Sequence, residues 1–185
     1  FQSLSIDEFR DYLSTQVSGD MNSFFESHIF SAGWNHYSID SFNVVNLTGN
    51  QYEVSVWMRQ KLKEMISFAD DNRVNITFMD ADWNMETRMV HFQGDSGMES
   101  FILDIDPVCV MVDLEEQFAD ATTDYYLTLS NIGAWDFNYS YFKLQIDQIT
   151  DSAFLRIEHN WVAPDEFSTS HPEYLLSDSR YWKVD

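Results

Sequence analysis

The sequence predicts a mainly β chain: an N-terminal helical pair, then an immunoglobulin-like antiparallel β-sandwich, then a second β segment. Three observations carry that prediction. Apolar residues recur at helical spacing up to Gly33, and beyond it the period drops to two. Short alternating runs then follow one another with turn residues between them. Hydrophobic residues make up 44% of the 185 residues and aromatics 16%, enough to fill a core and to exclude wholesale disorder.

The first helix begins at a capping box. In Ser5-Ile6-Asp7-Glu8, Ser5 is the N-cap and Glu8 lies three residues on, while Leu4 and Phe9 occupy hydrophobic-staple positions. Phe9, Tyr12, Leu13 and Gln16 follow on one side, and Ser18-Gly19 breaks the run. Asp20 is placed to cap a second helix carrying Phe24, Phe25, His28 and Ile29, with Gly33 to end it in the left-handed conformation. Neither helix is long enough to be stable alone in water, so both need a surface to pack on.

Tyr52, Val54, Val56 and Met58 alternate with Glu53, Ser55, Trp57 and Arg59. Val74, Ile76 and Phe78 form a second alternating set, Phe101, Leu103 and Ile105 a third, and Val108, Val110 and Val112 a fourth. Residues 38–46 and 87–92 add two less regular strands, and 61–69 fits either a short helix or a strand running on across the sheet, the strand being preferred. An acidic stretch at 114–123 marks a boundary. The expected divisions are 1–34 for the helical pair, 35–116 for the sandwich and 117–185 for a second, incomplete β region. In that region Tyr125 to Ser130, Phe142, Leu144 and Ile146, and Leu155, Ile157, His159 and Trp161 alternate. Asn131-Ile132-Gly133 and Ile149-Thr150-Asp151-Ser152 read as turns, 163–180 as a long loop, and Tyr181-Trp182-Lys183-Val184 as a last strand.

Charge narrows the partners. Ten Lys and Arg against thirty-one Asp and Glu give a net charge of -21, a surface that repels nucleic acid and anionic membranes. No apolar run approaches the roughly 20 residues of a spanning helix. The single Cys109 permits no intrachain disulfide and lies in an apolar run, as a buried or half-buried small hydrophobe would. The chain opens on Phe1 rather than Met and reads as a piece of something longer.

Catalytic motifs are sparse. His28, His36, His91, His159 and His171 fall in no H-E-x-x-H, and each reads as a packed or surface histidine. No catalytic or zinc residues are assigned, and one Cys argues against a structural zinc site. Asp80, Asp82, Asn84 and Glu86 offer the alternate oxygens of a calcium loop. Position six is Met85 rather than Gly and position twelve is His91 rather than Glu, so an acidic hairpin turn is the preferred reading. Among the aromatics, Trp57, Trp83 and Trp135 fall outside the inward half of their elements and are the candidate ligand-binding residues. The remaining aromatics are expected in the core or at an interface. Asn46, Asn75 and Asn138 head glycosylation sequons, which matter only in a eukaryotic secretory setting.

The opening resembles a particular place in the aminopeptidase-N-like zinc metallopeptidases. The residues that carry the likeness are Phe9-Arg10-Asp11-Tyr12-Leu13, Ser18-Gly19-Asp20-Met21, Phe24-Phe25, and Ile29-Phe30 with Gly33. Trp34-Asn35-His36 stands where that family usually has a Pro. Residues 51–59 and Ile105-Asp106-Pro107 with Asp113 are similar to the strands that follow the catalytic domain. Residues 155–165 and 180–185 look like the extra β region of Bacteroidetes-type members.

The resemblance implies a post-catalytic segment of a secreted, periplasmic or cell-envelope aminopeptidase, with a scaffolding role and no activity of its own. The parent enzyme would use zinc to hydrolyse N-terminal residues from peptides, but the family's metal and exopeptidase motifs lie upstream of the matching region, so none maps onto this chain. The upstream catalytic domain of the same polypeptide is the implied partner. Part of the face bearing Phe9, Leu13, Phe24, Phe25 and Ile29 would pack against it, and self-association is another outcome of leaving that face uncovered. The alternative function is a carbohydrate- or ligand-binding β-sandwich.

Overall fold

Ser5 opens helix α1 (Ile6–Ser14) and closes the expected capping box. Its hydroxyl accepts from the Glu8 amide at 3.2 Å, and Glu8 Oε2 accepts from the Ser5 amide at 2.8 Å. The computed structural model of the chain describes residues 3–18, 21–165 and 175–185. The break expected at Gly19, the cap expected at Asp20 and the histidine at His171 lie outside the described residues, as does 166–174 of the expected loop.

The second helix departs from expectation. Helix α2 (Met21–Phe25) passes into a π-helical turn, Glu26–Phe30, closed by the Ser31 amide donating to the Glu26 carbonyl at 3.1 Å. Gly33 therefore does not cap the helix. It sits at φ 93°, where a Cβ would lie 2.3 Å from the Lys63 carbonyl oxygen. The glycine is required because one strand starts against the end of another with no room for a side chain.

Strands β1 (Trp34–Asn46), β2 (Tyr52–Lys63), β3 (Asn72–Met79), β4 (Met85–Phe92), β5 (Ser96–Leu103) and β6 (Cys109–Val112) follow. They form two antiparallel sheets, ordered β1-β2-β5 and β4-β3-β6. The alternation of β2 and β3 points Val54, Val56 and Met58 from one sheet, and Val74, Ile76 and Phe78 from the other, into a shared core. All six are at most 1% exposed. At roughly 1.5–3 kcal/mol for each large apolar side chain fully buried, this cluster dominates the folding free energy of the sandwich.

The strand expected to continue through 61–69 stops at Lys63. Glu64 turns the chain at φ 61°, and 64–71 is irregular. That segment is held by buried amides. Gln60 Oε1 accepts from the Ala69 amide at 3.2 Å, and Asn72 Nδ2 donates to the Ala69 carbonyl at 2.9 Å. Asn72 Oδ1 in turn accepts from Tyr37 Oη at 2.9 Å and Gln60 Nε2 at 3.2 Å. These side chains satisfy backbone groups that a strand would have paired in a ladder.

The chain divides into two compact units, Phe1–Ala119 and Asp120–Asp185, the helical pair belonging to the first. The second contains β7 (Thr122–Leu129), β8 (Gly133–Phe137), β9 (Phe142–Ile146), β10 (Ala153–Asn160) and β11 (Tyr181–Val184). A sheet ordered β11-β10-β7 is accompanied by the hairpin β8-β9. Sequence reading misses β8, which is short, begins at a Gly read as a turn and carries Asp136. In β10, Arg156 and its β7 neighbour Asp124 are 2% and 8% exposed and paired at 2.9 Å from Nε and 2.5 Å from Nη2.

Candidate functional site: a groove on the outer sheet face

Inward Val56 and Met58 fix the outward direction of Trp57 and Arg59 on β2, since alternate side chains take opposite faces. Trp57 is paired with Met98 of β5 and Ser41 of β1. The β1-β2 ladder is regular except between Ile39 and Ser41, where one extra residue, Asp40, is left unpaired. Such a bulge re-aims the side chain it carries. Here Asp40 Oδ2 accepts from Arg59 Nη2 at 2.7 Å. Phe68, from the irregular segment pinned by Gln60 and Asn72, supplies a second aromatic wall, and Ser96 and Met98 close the β5 side. The result is an open groove of about 770 Å³.

A second hollow, of about 330 Å³, lies where the helices meet the β3-β4 face. Phe24, Met89 and Phe118 are among its apolar walls, and Asp71, Arg73 and His28 bring charge to it. Asp71 Oδ1 accepts from Arg73 Nε at 3.1 Å and lies 2.6 Å from His91 Nε2. Partial burial works to raise the Asp71 pKa, but the hydrogen bonds and charges of Arg73 and His91 prevail and hold it below the usual value. Burial pushes the His28 pKa down. Ser18 and Tyr37 bring the hydroxyls to this hollow, and the Tyr37 hydroxyl donates to Asn72 Oδ1 at 2.9 Å.

The structure separates the three candidate tryptophans. Trp57 is 40% exposed in the groove, Trp83 sits at φ 66° in the turn between β3 and β4, and Trp135 belongs to β8 in the other unit. No ring contact among the described residues joins any two of them. Asp80, Asp82, Asn84 and Glu86 form a hairpin turn. Asp80 Oδ1 accepts from the Asp82 and Asn84 amides, both at 2.9 Å, and Oδ2 from Asn84 Nδ2 at 2.8 Å. The Asn84 side chain leads the hydrogen bonds that lower the Asp80 pKa. Glu86 pairs with Arg88. Among the described residues, no three His, Cys, Asp or Glu side chains are grouped to hold a metal ion. Of the sequon asparagines, Asn46 and Asn138 are exposed, while Asn75 is half-buried and donates to Gln117 Oε1 at 2.8 Å.

No protein family, curated protein or solved structure matches this chain. The functional reading therefore rests on the geometry and on the resemblance carried by its residues.

The remaining aromatics, expected in the core or at an interface, divide between buried and exposed positions. Phe25, Tyr37, Phe78, Phe92 and Phe137 are buried among the described aromatics, whereas Phe9, Tyr12, Phe24, Phe30, Trp34 and Phe68 are each at least 39% exposed. Helical spacing gave several of these an inward side, but the pair offers only the space around Phe25 to fill. Sequence reading also misses Asp40, Phe68 and Met98. A signal for Asp40 exists: Tyr37 and Ile39 share one phase, Phe42 and Val44 the other, and all four pack on one core. Only an inserted residue between Ile39 and Phe42 reconciles the two phases.

Proposed function

We propose that this chain is a non-catalytic, architectural segment of an aminopeptidase-N-like zinc enzyme of the cell envelope or its exterior. Its helical pair is the docking face for the catalytic domain. The supporting observation is the apolar surface that surrounds Phe25. Phe25 is 3% exposed and contacts the rings of Phe9, Phe24 and Phe30, with centroids 5.9–6.2 Å apart. Around it Ile6, Phe9, Tyr12, Ile29 and Phe30 remain 41–58% exposed. Several large apolar side chains left exposed on one short helical pair favour an interaction site. All of these residues but Ile6 carry the resemblance to the end of the family's catalytic domain.

In this reading the parent enzyme's own catalytic domain would hold the zinc, which would supply the Lewis acid for hydrolysing N-terminal residues from peptides, and a carboxylate there would serve as general base. The described residues here do not fit that metal, so no step is assigned to them. The sandwich spaces and steadies the domain that bears it. The test is the isolated chain incubated with aminoacyl-p-nitroanilides, with and without added zinc. No turnover and no stoichiometric zinc are expected. Zinc-dependent release of nitroaniline above a buffer blank overturns the reading.

A further inference from the structure

We propose that the groove beside Trp57 binds a neutral sugar ring of a glycan, with Trp57 as the stacking surface and the Asp40–Arg59 pair as the hydrogen-bonding edge. The inference stands apart from the docking role of the helices and survives or fails without it.

A pyranose ring presents an apolar face of C–H groups and a rim of hydroxyls. A site for it needs a flat π face, whose negative quadrupole attracts polarised C–H, and beside it donors and acceptors for the rim. The groove has both. Trp57 and Phe68, each 40% exposed, supply the aromatic surface. Asp40 accepts and Arg59 donates, so adjacent hydroxyls find complementary partners. Both charged side chains keep substantial exposure, at 29% and 40%, and remain within reach of a ligand.

The pair is built rather than incidental. Asp40 reaches Arg59 because β1 carries a bulge at that residue in an otherwise regular ladder. A bulge gives up regular pairing, and its effect here is to bring a carboxylate beside an exposed tryptophan. The groove volume of about 770 Å³ falls within the roughly 300–1,000 Å³ of small-molecule sites.

Charge selects the class of sugar. The lining carries Asp40 and Asp95 against Arg59, and the whole chain carries -21. Uronic acids, sulfated glycans and phosphates are repelled, and neutral hexoses or pentoses are not. A bound peptide strand is disfavoured by position. The aromatic and charged groups of the groove, Trp57 and Arg59, stand on β2, which is already paired on both sides, so a strand laid across them gains no ladder from β2.

The test is affinity electrophoresis of the full chain through gels containing a neutral β-glucan, xylan, galactomannan, α-glucan or, as the acidic control, polygalacturonate. Titration calorimetry with the matching oligosaccharide follows. Retardation by at least one neutral glycan is expected, with Trp57→Ala and Asp40→Asn each weakening binding about tenfold or more. Trp57→Phe should recover most of it, and Trp83→Ala and Trp135→Ala should leave it unchanged. Asp40→Asn keeps the shape of an exposed residue and gives an independent reading if Trp57→Ala folds poorly. The proposal is overturned by no retardation in any neutral gel, by retardation in polygalacturonate alone, or by binding indifferent to both Trp57→Ala and Asp40→Asn. A basic peptide bound with the same Trp57 dependence while the neutral glycans are ignored also overturns it.

Discussion

At the scale of residues, His159 shows how one side chain records its surroundings. It is fully buried, stacked on Trp182 with centroids 4.5 Å apart and 4.1 Å from Trp161, and neither ring nitrogen has a hydrogen-bond partner among the described residues. Burial first, and then the charge of Arg180, hold its pKa below the ordinary imidazole value of about 6.5. The sign follows from linkage. Above about pH 6.5 the ring is neutral in both folded and unfolded chains. As pH falls below that, the unfolded chain takes the proton first, so stability present at neutral pH is lost on the way down to the lowered folded pKa. His28 acts in the same direction. Thermal melts at pH 7.5 and 5.5 should show a larger drop in Tm for the wild type than for His159→Phe. Equal drops would mean that the histidine is not held neutral.

At the scale of elements, regular strands were legible and their interruptions were not. Val54, Val56 and Met58 announced β2 because a half-buried strand leaves a period of two in its sequence, and β3 and β10 were equally plain. The groove was half legible: Trp57 stood out as an outward aromatic, whereas Asp40 and Phe68 depend on a bulge and on an irregular segment. Residues 61–69 fit either a short helix or a continuing strand, but Asn72 and Gln60 use their amides in tertiary bonds that follow no local spacing rule. The same cluster gives a prediction. Asn72→Leu removes the Oδ1 acceptor of the Tyr37 hydroxyl and one of two donors to the Ala69 carbonyl, which keeps the Gly94 amide at 3.1 Å, at a total cost of roughly 1–3 kcal/mol. Urea unfolding should show the loss, and amide exchange in 64–71 should accelerate ahead of β2 and β3. Unchanged exchange there would show that the segment is held by packing alone.

At the scale of the whole molecule, the balance is between a dry sandwich core and a surface that does not finish covering itself. A net charge of -21 keeps chains apart at long range, an effect that salt screens with a Debye length of about 8 Å at physiological ionic strength. Short-range burial of the helical face works the other way. Helices α1 and α2 are short, so their stability depends on what covers Ile6, Phe9, Ile29 and Phe30. The strands need no such help, since their apolar residues already face one another. Architecture of this kind suits a segment that folds its β layers alone and completes its helical end against a neighbour.

That completion is the central claim, and the solution mass tests it most directly. Sedimentation equilibrium in 0.15 M salt should place the wild-type chain above its monomer mass, through pairing of the uncovered helical faces. Phe9→Ser with Ile29→Ser should return it to monomer with its strand content intact. A wild-type chain that stays monomeric at the highest concentrations, with α1 and α2 amides exchanging as slowly as those of β2, would show that the face needs no partner and would contradict the account.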